Sequence, residues 1–186
     1  SGDILRVGEI DGLMGKGEIL EINDAFATLS ISLDQLPPKK LPLRLVMALP
    51  RPKMLRRILR TIAELGVPEL HLINSYRVEK SYWQSPVLKQ GTLREYLLQG
   101  LEQSRDTQVP RVHHHHAFKP FVEDSLPGII RGGDALLAHP GEHSPCPRHI
   151  SGETLLVIGP EGGVIPLSLR HISEPPRPLS ISHAGG

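Results

Sequence analysis

Residues Gly159–Gly163 form a glycine-rich segment, Gly-Pro-Glu-Gly-Gly, whose residue types are suited to ligand binding. The segment directly follows Leu155–Ile158, a short apolar run that predicts a buried strand. Three glycines let a backbone approach a ligand closely. Glu161 can accept hydrogen bonds from ribose hydroxyls or stand near a cationic centre such as a sulfonium. A tight turn is the plainer interpretation. A phosphate-binding P-loop is a poor interpretation, because Val164-Ile165-Pro166 follows where a P-loop needs Lys and then Ser or Thr, and the spacing does not match the dinucleotide fingerprint either.

A second candidate is a run of positive charge that no acidic residue interrupts. Its members are Arg51, Lys53, Arg56, Arg57 and Arg60. If this run is helical, Arg56 and Arg60 share a face, and the cluster favours phosphate binding. Arg44, Arg77 and Lys80 could extend the patch. The alternative is a solvated helix face with an ion pair from Arg60 to Glu64.

Histidines suggest metal ligands at two places, but we expect no metal. The run His113–His116 is predicted to be an exposed loop or the start of a strand, with adventitious nickel or zinc affinity at most. The second group has spacings that zinc ligands can adopt, although its prolines indicate a loop and it holds only one thiol. Its members are His139, Glu142, His143, Cys146 and His149. The aromatic residues Tyr82 and Trp83 are a separate candidate for RNA contact, because they could stack on a base. The simpler expectation is that they pack beneath a loop.

The composition is that of a globular protein without a membrane-spanning segment. The chain has 186 residues, enough for one medium domain or for one domain with part of another, and 39% of them are hydrophobic. The net charge of +1 does not by itself indicate a nucleic-acid partner, so any such prediction depends on local clusters of positive charge. No apolar run reaches the ~18 residues of a membrane span, and we expect no membrane partner. Cys146 is the single cysteine, which suits a cytoplasmic location.

The elements that position these residues alternate between strands and helices from residue 43 onward. Leu43–Leu49 is an apolar run typical of a strand buried on both faces. Pro52 opens a helix whose apolar stripe runs to Leu65, and Gly66 ends it. Further elements are a helix at Thr92–Ser104 and strands at Leu70–Ile73, Asp134–Ala138 and Thr154–Ile158. This alternation predicts an α/β fold with a mainly parallel sheet, in which Gly159–Gly163 lies at the ligand-binding end of a central strand.

The first 36 residues have a different character. Short runs between Gly, Asn and Asp, such as Ile4–Val7 and Ala27–Ile31, predict antiparallel β hairpins. About three strands cannot close a barrel, so we interpret residues 1–36 as part of a small β domain. Residues 37–42 contain three prolines and are predicted to be a linker, with residues 43–186 forming the α/β domain.

With these elements in place, Ile158–Gly163 resembles the signature of the RsmE family, the SPOUT-class enzymes that methylate N3 of a uridine in 16S ribosomal RNA. Three other segments agree with this family in order and spacing. They are Met47–Pro50 with Lys53-Met54, Ala63–Val67, and Leu101–Ser104. The resemblance covers residues 43–166, and residues 1–33 are similar to the latter part of the family's N-terminal PUA-like β barrel.

The resemblance implies an S-adenosylmethionine-dependent RNA methyltransferase. SPOUT enzymes bind this cofactor within a trefoil knot, which residues 43–186 would form. The implied cofactor-binding residues are Leu137, Ala138, His139, Ile158, Gly159, Pro160, Glu161, Gly162 and Gly163. The implied RNA-binding residues are Arg51, Lys53, Arg56, Arg57, Arg60, Arg77 and Lys80.

The family also implies a reaction, a substrate and an assembly. The target uracil must be unstacked, and its N3 proton must be accepted by a group that the sequence does not identify. Arg77, which could stabilise the uracil anion, and Glu102 are weak catalytic candidates. The implied partners are 16S rRNA in the small ribosomal subunit and a second copy of the chain, and no metal is required.

The chain departs from the family at several positions. Arg51-Pro52 stands where Lys-Gly is usual, and Arg105-Asp106 where Gly-Arg is usual. Residues 167–186 do not resemble the family's last cofactor loop and closing helix, and their prolines leave room for only a short strand such as Pro178–Ile181. Two alternatives therefore stay open, a non-catalytic RNA-binding protein of SPOUT fold and a SPOUT methyltransferase that acts on tRNA.

Overall fold

The computed structural model describes residues 2–130, 133–138, 147–148, 150, 152–160 and 179–181, and of the last three only the backbone. The first element is a three-stranded antiparallel sheet of β1 (Ile4–Gly8), β2 (Met14–Ile22) and β3 (Ala27–Gln35). The hairpins predicted for the first 33 residues are therefore confirmed. Gly15 permits the close pairing of β2 and β3, because a side chain there would meet the backbone of Ser32.

A parallel sheet forms the centre of the α/β domain. Its strands are β4 (Leu43–Ala48), β5 (Glu69–Ile73), β6 (Arg111–His115), β7 (Asp134–Ala138), β8 (Thr154–Ile158) and β9 (Leu179–Ile181). Five strands follow the order β6-β5-β4-β8-β7, and the three-residue β9 pairs with the outer side of β7. The predictions of an α/β fold, of a mainly parallel sheet and of a central strand ending at Ile158 are confirmed. The short strand expected near residues 178–181 is also present.

Two helices, α1 (Pro52–Glu64) and α2 (Gln90–Ser104), connect β4 to β5 and β5 to β6 and pack against each other. Leu55, Leu59 and Ile62 on α1 are buried, as the periodicity predicts. The periodicity also places Leu65 in this stripe, but it lies beyond the last helical turn and is 60% exposed. Gly66 ends the helix with φ +72°, the left-handed conformation that favours glycine.

Residues 118–130 form a helical segment that the sequence did not predict. It consists of Phe118–Pro120, a π-helical turn at Phe121–Ser125 and Leu126–Ile130. The chain steps from β4 to β5 to β6 in one direction and then returns past β4 and β8 to β7. Because parallel crossovers are right-handed, this reversal places residues 118–130 on the face opposite to α1 and α2. The rings of His71 and His115 contact Phe121 on that face.

The two sheets are joined by the connection that follows α2. Thr107 Oγ1 donates to the carbonyl of Gly12 at 2.6 Å, and Asp11 Oδ1 accepts from the Val109 backbone N–H at 2.8 Å. Lys40, in the predicted linker, forms a 2.6 Å ion pair with Asp106. These contacts hold the small sheet and the linker against the amino ends of β5 and β6. Among the described helices, none has the length and apolar character that crossing a bilayer would require.

Candidate active site

The carboxyl ends of the parallel strands form one edge of the sheet. In the strand registers, Ala138 of β7 pairs with Ile158 of β8, and Ala138 also pairs with Ile181 of β9. Met47 of β4 pairs with Ile158 from the other side. Segments that leave these strands therefore begin side by side, at the edge where open α/β sheets bind ligands.

The structure brings the described members of the predicted cofactor site together at this edge. Leu137 is buried in β7, with 3% exposure, and Ala138 ends that strand. Ile158 ends β8, and Gly159 and Pro160 follow it, half-buried. His139, Glu161, Gly162 and Gly163 lie outside the described residues, as do His143, Cys146 and His149 of the second histidine group. Only small and aliphatic side chains stand at the described strand ends of β7 and β8, which suits the approach of a ligand to the backbone.

Four of the predicted RNA-binding residues lie near the same edge. Arg51 and Lys53 flank the start of α1, directly after β4. Arg77 is exposed in the turn after β5, and Lys80 begins a short 3₁₀ helix, Lys80–Gln84. The segment with Arg51 and Lys53 leaves β4, the strand next to β8, whereas the segment with Arg77 and Lys80 leaves β5, two strands or about 10 Å from β8.

Arg56 and Arg60, by contrast, are directed toward α2. The guanidinium of Arg60 lies 5.0 Å from the centre of the Tyr96 ring, and that of Arg56 lies 6.0 Å from it. Arg60 Nε also donates to Gln99 Oε1 at 2.7 Å, so the pair with Glu64 is not the contact that positions it. Arg57 is exposed on α1. The predicted cluster is therefore divided between the sheet edge and the contact between the two helices.

Glu102 and Arg44 are placed away from the strand ends. A helix that connects two parallel strands must run back, so the end of α2 lies near the amino ends of the strands, and Glu102 lines a cleft there. Arg44 donates to the Ile129 carbonyl at 2.6 Å and to Glu153 at 2.7 Å. Arg44 thus joins β4, residues 118–130 and the segment before β8, rather than extending a basic patch.

Trp83 is packed rather than free to stack on a base. Its indole N–H donates to Asn74 Oδ1 at 3.2 Å, and its ring lies 4.2 Å from that of His116. This arrangement agrees with the simpler expectation of packing beneath a loop. It also joins the loop after β5 to the end of β6 at the strand-end edge.

A cleft of about 710 Å³ lies between the small sheet and the end of α2, and no sequence pattern predicts it. Its basic residues are Arg6, Lys16 and Arg105, and its acidic residues are Glu102 and Asp106. Since Lys40 already neutralises Asp106, the cleft carries an excess of positive charge. Arg6 and Lys16 occupy directly paired positions on β1 and β2. Predicting this cleft would require the pairing register of β1 and β2, which the spacing of residues in the sequence does not give.

The comparisons with known proteins agree with this architecture. Over 113 residues, the chain is 33% identical to the ribosomal RNA small subunit methyltransferase E of Treponema pallidum. That match covers 60% of this chain and 42% of the relative, so the matched region is less than half of the relative's length.

Solved structures are similar in fold over nearly the whole chain. One is a ribosomal RNA small subunit methyltransferase E from Neisseria gonorrhoeae bound to S-adenosylmethionine, with TM-score 0.78 and 16% identity, covering 98% of this chain and 75% of that one. Another, from Legionella pneumophila in complex with the same cofactor, has TM-score 0.70 and 19% identity and covers 100% and 76%. A family model described as the RNA methyltransferase domain matches residues 37–175, which include the linker and the α/β domain as far as β8. The chain therefore belongs to the RNA methyltransferase domain family.

Proposed function

We propose that this chain methylates N3 of a uridine in 16S ribosomal RNA, with S-adenosylmethionine as the methyl donor. The observation that carries the proposal is the meeting of Ala138 and Ile158 at one sheet edge, in a chain of the RNA methyltransferase domain family. The glycine-rich sequence that begins at Gly159 starts at this meeting point. The 33% identity to a small-subunit rRNA methyltransferase favours rRNA as the substrate.

The described strand ends suit the cofactor. Ala138 has a small side chain and Gly159 has none, which would let an adenosine approach the backbone N–H and carbonyl groups there. We assign cofactor binding to Leu137, Ala138, Ile158, Gly159 and Pro160, and to His139 and Glu161–Gly163 from sequence. When bound, S-adenosylmethionine supplies an activated methyl group on its sulfonium.

The chain's own residues would position the base and its charge. Uracil N3 must lose a proton, and a fixed cation beside the base stabilises the negative charge that develops. We assign this role to Arg77, in the turn after β5, rather than to Glu102, which lies toward the amino ends of the strands. Arg51, Lys53 and Lys80 would contact phosphates near the base.

Several finer features complete the proposal. Residues 43–186 would form the trefoil-knot domain of SPOUT enzymes, and β1–β3 would belong to a PUA-like domain. The active form would be a homodimer that acts on the small ribosomal subunit in the cytoplasm. We propose these features from the resemblance of Ile158–Gly163 and its accompanying segments to the RsmE family.

The direct test is a methyl-transfer assay with the full chain. Labelled S-adenosylmethionine would be supplied with small ribosomal subunits that lack the modification, with tRNA as the competing substrate. We expect 3-methyluridine in 16S rRNA on nucleoside analysis. Arg77→Ala should lower the transfer rate at least tenfold, whereas Arg94→Ala, an exposed arginine on α2, should not.

The other outcomes separate the alternatives. If the labelled methyl group appears only in tRNA, the protein is a methyltransferase with a different substrate. Calorimetry with S-adenosylhomocysteine tests the cofactor site by itself, and RNA binding without any heat of cofactor binding would indicate a non-catalytic RNA-binding protein. Either result would overturn the proposal.

A further inference from the structure

We propose that Glu69, His71 and His113 form a binding site for a zinc-type divalent transition-metal ion. The three residues lie on the neighbouring parallel strands β5 and β6, where His71 pairs directly with His113. Glu69 and His71 are two residues apart, so their side chains point to the same face of the sheet. The pairing places His113 on that face as well.

The ligand atoms are close enough to share one ion. One atom from each residue lies within 4.8 Å of the other two. Glu69 Oε1 is 2.8 Å from His113 Nε2 and 3.6 Å from His71 Nε2. Two ligands of a tetrahedral zinc ion with bonds of about 2.0–2.1 Å are roughly 3.3 Å apart. The rings of His71 and His113 are stacked, with centroids 4.6 Å apart and an interplanar angle of 13°, so one ring would have to turn for both Nε2 lone pairs to point to the ion.

Two of these atoms also have unmet bonding capacity. His71 is 4% exposed, and its Nε2 is buried without a hydrogen-bond partner. His113 Nε2 is likewise shielded from solvent and, despite its proximity to Glu69, makes no hydrogen bond of good geometry. A buried polar atom left in this way is unfavourable and calls for a partner. A metal ion between the two imidazoles and the carboxylate would satisfy both nitrogens together.

The surrounding residues are arranged like a second coordination shell. His71 Nδ1 lies 3.0 Å from His115 Nε2. In the tautomer that a metal requires, His71 Nδ1–H donates to His115 and leaves Nε2 unprotonated, which fixes the ring. Arg44 lies 3.5 Å from the second carboxylate oxygen, Oε2 of Glu69, and so holds the carboxylate while Oε1 remains available. The positive charge of Arg44 disfavours a nearby cation, but Arg44 contacts Oε2 of Glu69, whereas the two imidazoles lie near Oε1.

The ligand set selects the class of metal. Two imidazoles and one carboxylate suit Zn²⁺ and neighbouring transition metals, whereas Mg²⁺ and Ca²⁺ prefer oxygen ligands alone. With three protein ligands, a fourth position can hold water on the side of His113, whose side chain is 40% exposed. The ion would join β6, which ends the described sheet order, to β5. It lies on the face that Phe121 covers and not at the strand-end edge, so it is separate from methyl transfer.

The test uses the full chain without a polyhistidine tag, after removal of metals by a chelator. Zinc affinity would be measured by competition with a chromogenic chelator, and the geometry by the visible absorption of the Co²⁺ form. We expect one tight Zn²⁺ per chain at this cluster and no comparable binding of Mg²⁺. Glu69→Gln and His113→Asn should each weaken zinc binding by more than about 100-fold, because removing a direct ligand costs more than removing a second-shell partner.

Two controls make the result specific to this cluster. His114→Asn changes the same strand, but residue 114 points to the opposite face, so its affinity should match that of the wild type. Cys146→Ser and His143→Ala change the other histidine group and should have no effect on this ion. Circular dichroism would establish that Glu69→Gln and His113→Asn are folded. Binding that survives in both of them, or that is lost only in the Cys146 and His143 variants, would overturn the proposal.

Discussion

At the scale of single residues, the charge of His71 is controlled by its surroundings. The pKa of His71 is lowered from 6.5 to about 4, mainly by burial and then by the nearby His113, His115 and Arg44, while Glu69 acts in the opposite direction. The imidazole is therefore neutral in the folded protein at neutral pH. In the unfolded chain the same group has its ordinary pKa, so the two states bind protons differently as the solution is acidified.

We predict that the metal-free protein loses stability between pH 6.5 and pH 4 because of His71. In this range the unfolded chain binds a proton at residue 71 and the folded chain does not, so the free energy of unfolding falls as the pH falls, by on the order of 2–3 kcal/mol. Urea unfolding at a series of pH values, with chelator present, measures this. His71→Asn should flatten the dependence. An unchanged slope in that variant would show that other groups cause the acid sensitivity.

Residue positions at the sheet edge were predictable only where a strand fixes them. Ala138 and Ile158 end strands whose bounds the apolar runs give correctly, so their proximity follows from a parallel sheet. The roles of Arg60 and Arg44 depend on Gln99, Glu153 and other residues distant in sequence, which periodicity does not reveal. The position of Glu102 away from the carboxyl ends of the strands is predictable from the sequence, because a helix between two parallel strands ends near their amino ends.

At the scale of elements, α1 and α2 approach closely at one glycine. A side chain at Gly100 would meet the backbone oxygen of Arg60 and would lie 2.7 Å from the Cβ of Ala63. The absence of a side chain there lets the two helices pack side by side. It also places Tyr96 and Gln99 against the arginines of α1.

We predict that Gly100→Ala destabilises the protein. Alanine favours a helix over glycine by about 1 kcal/mol, but the clash with Arg60 forces α1 and α2 apart, and overpacking costs typically about 1–3 kcal/mol. The matched control is Gly91→Ala in the first turn of α2, where a side chain would meet no atom within 4 Å. Thermal or urea unfolding should show a loss for the first variant and no loss for the second. Equal stabilities would mean that the helices separate without cost.

Among the elements, the regular ones were predictable and residues 118–130 were not. The bounds of β7 and β8 agree with the apolar runs, and α1 begins at Pro52 as expected. In residues 118–130 a π-helical turn shifts the helical period, and Pro120 and Pro127 are signals that usually argue against a helix. Burial of Phe121, Val122 and Leu126 against the sheet stabilises this segment despite its local sequence.

At the scale of the whole molecule, the small sheet and the α/β domain together form a positively charged cleft. Arg6 and Lys16 are directly opposite each other on β1 and β2, an arrangement in which like charges repel. Both line the cleft, with Arg105 of the connection after α2 completing its basic side. A polyanion would relieve this repulsion, so the cleft is suited to the phosphate backbone of the proposed RNA substrate.

We therefore predict that the double variant Arg6→Glu with Lys16→Glu binds 16S rRNA more weakly and with a smaller dependence on salt. Each phosphate that the protein no longer neutralises should reduce the slope of log affinity against log salt by about 1. Binding would be measured over a range of salt concentrations. Lys39→Glu with Arg94→Glu changes the net charge equally at exposed positions that do not line the cleft, and should reduce the slope less. If the two double variants behave alike, only the total charge matters, and the RNA does not enter the cleft between the two sheets.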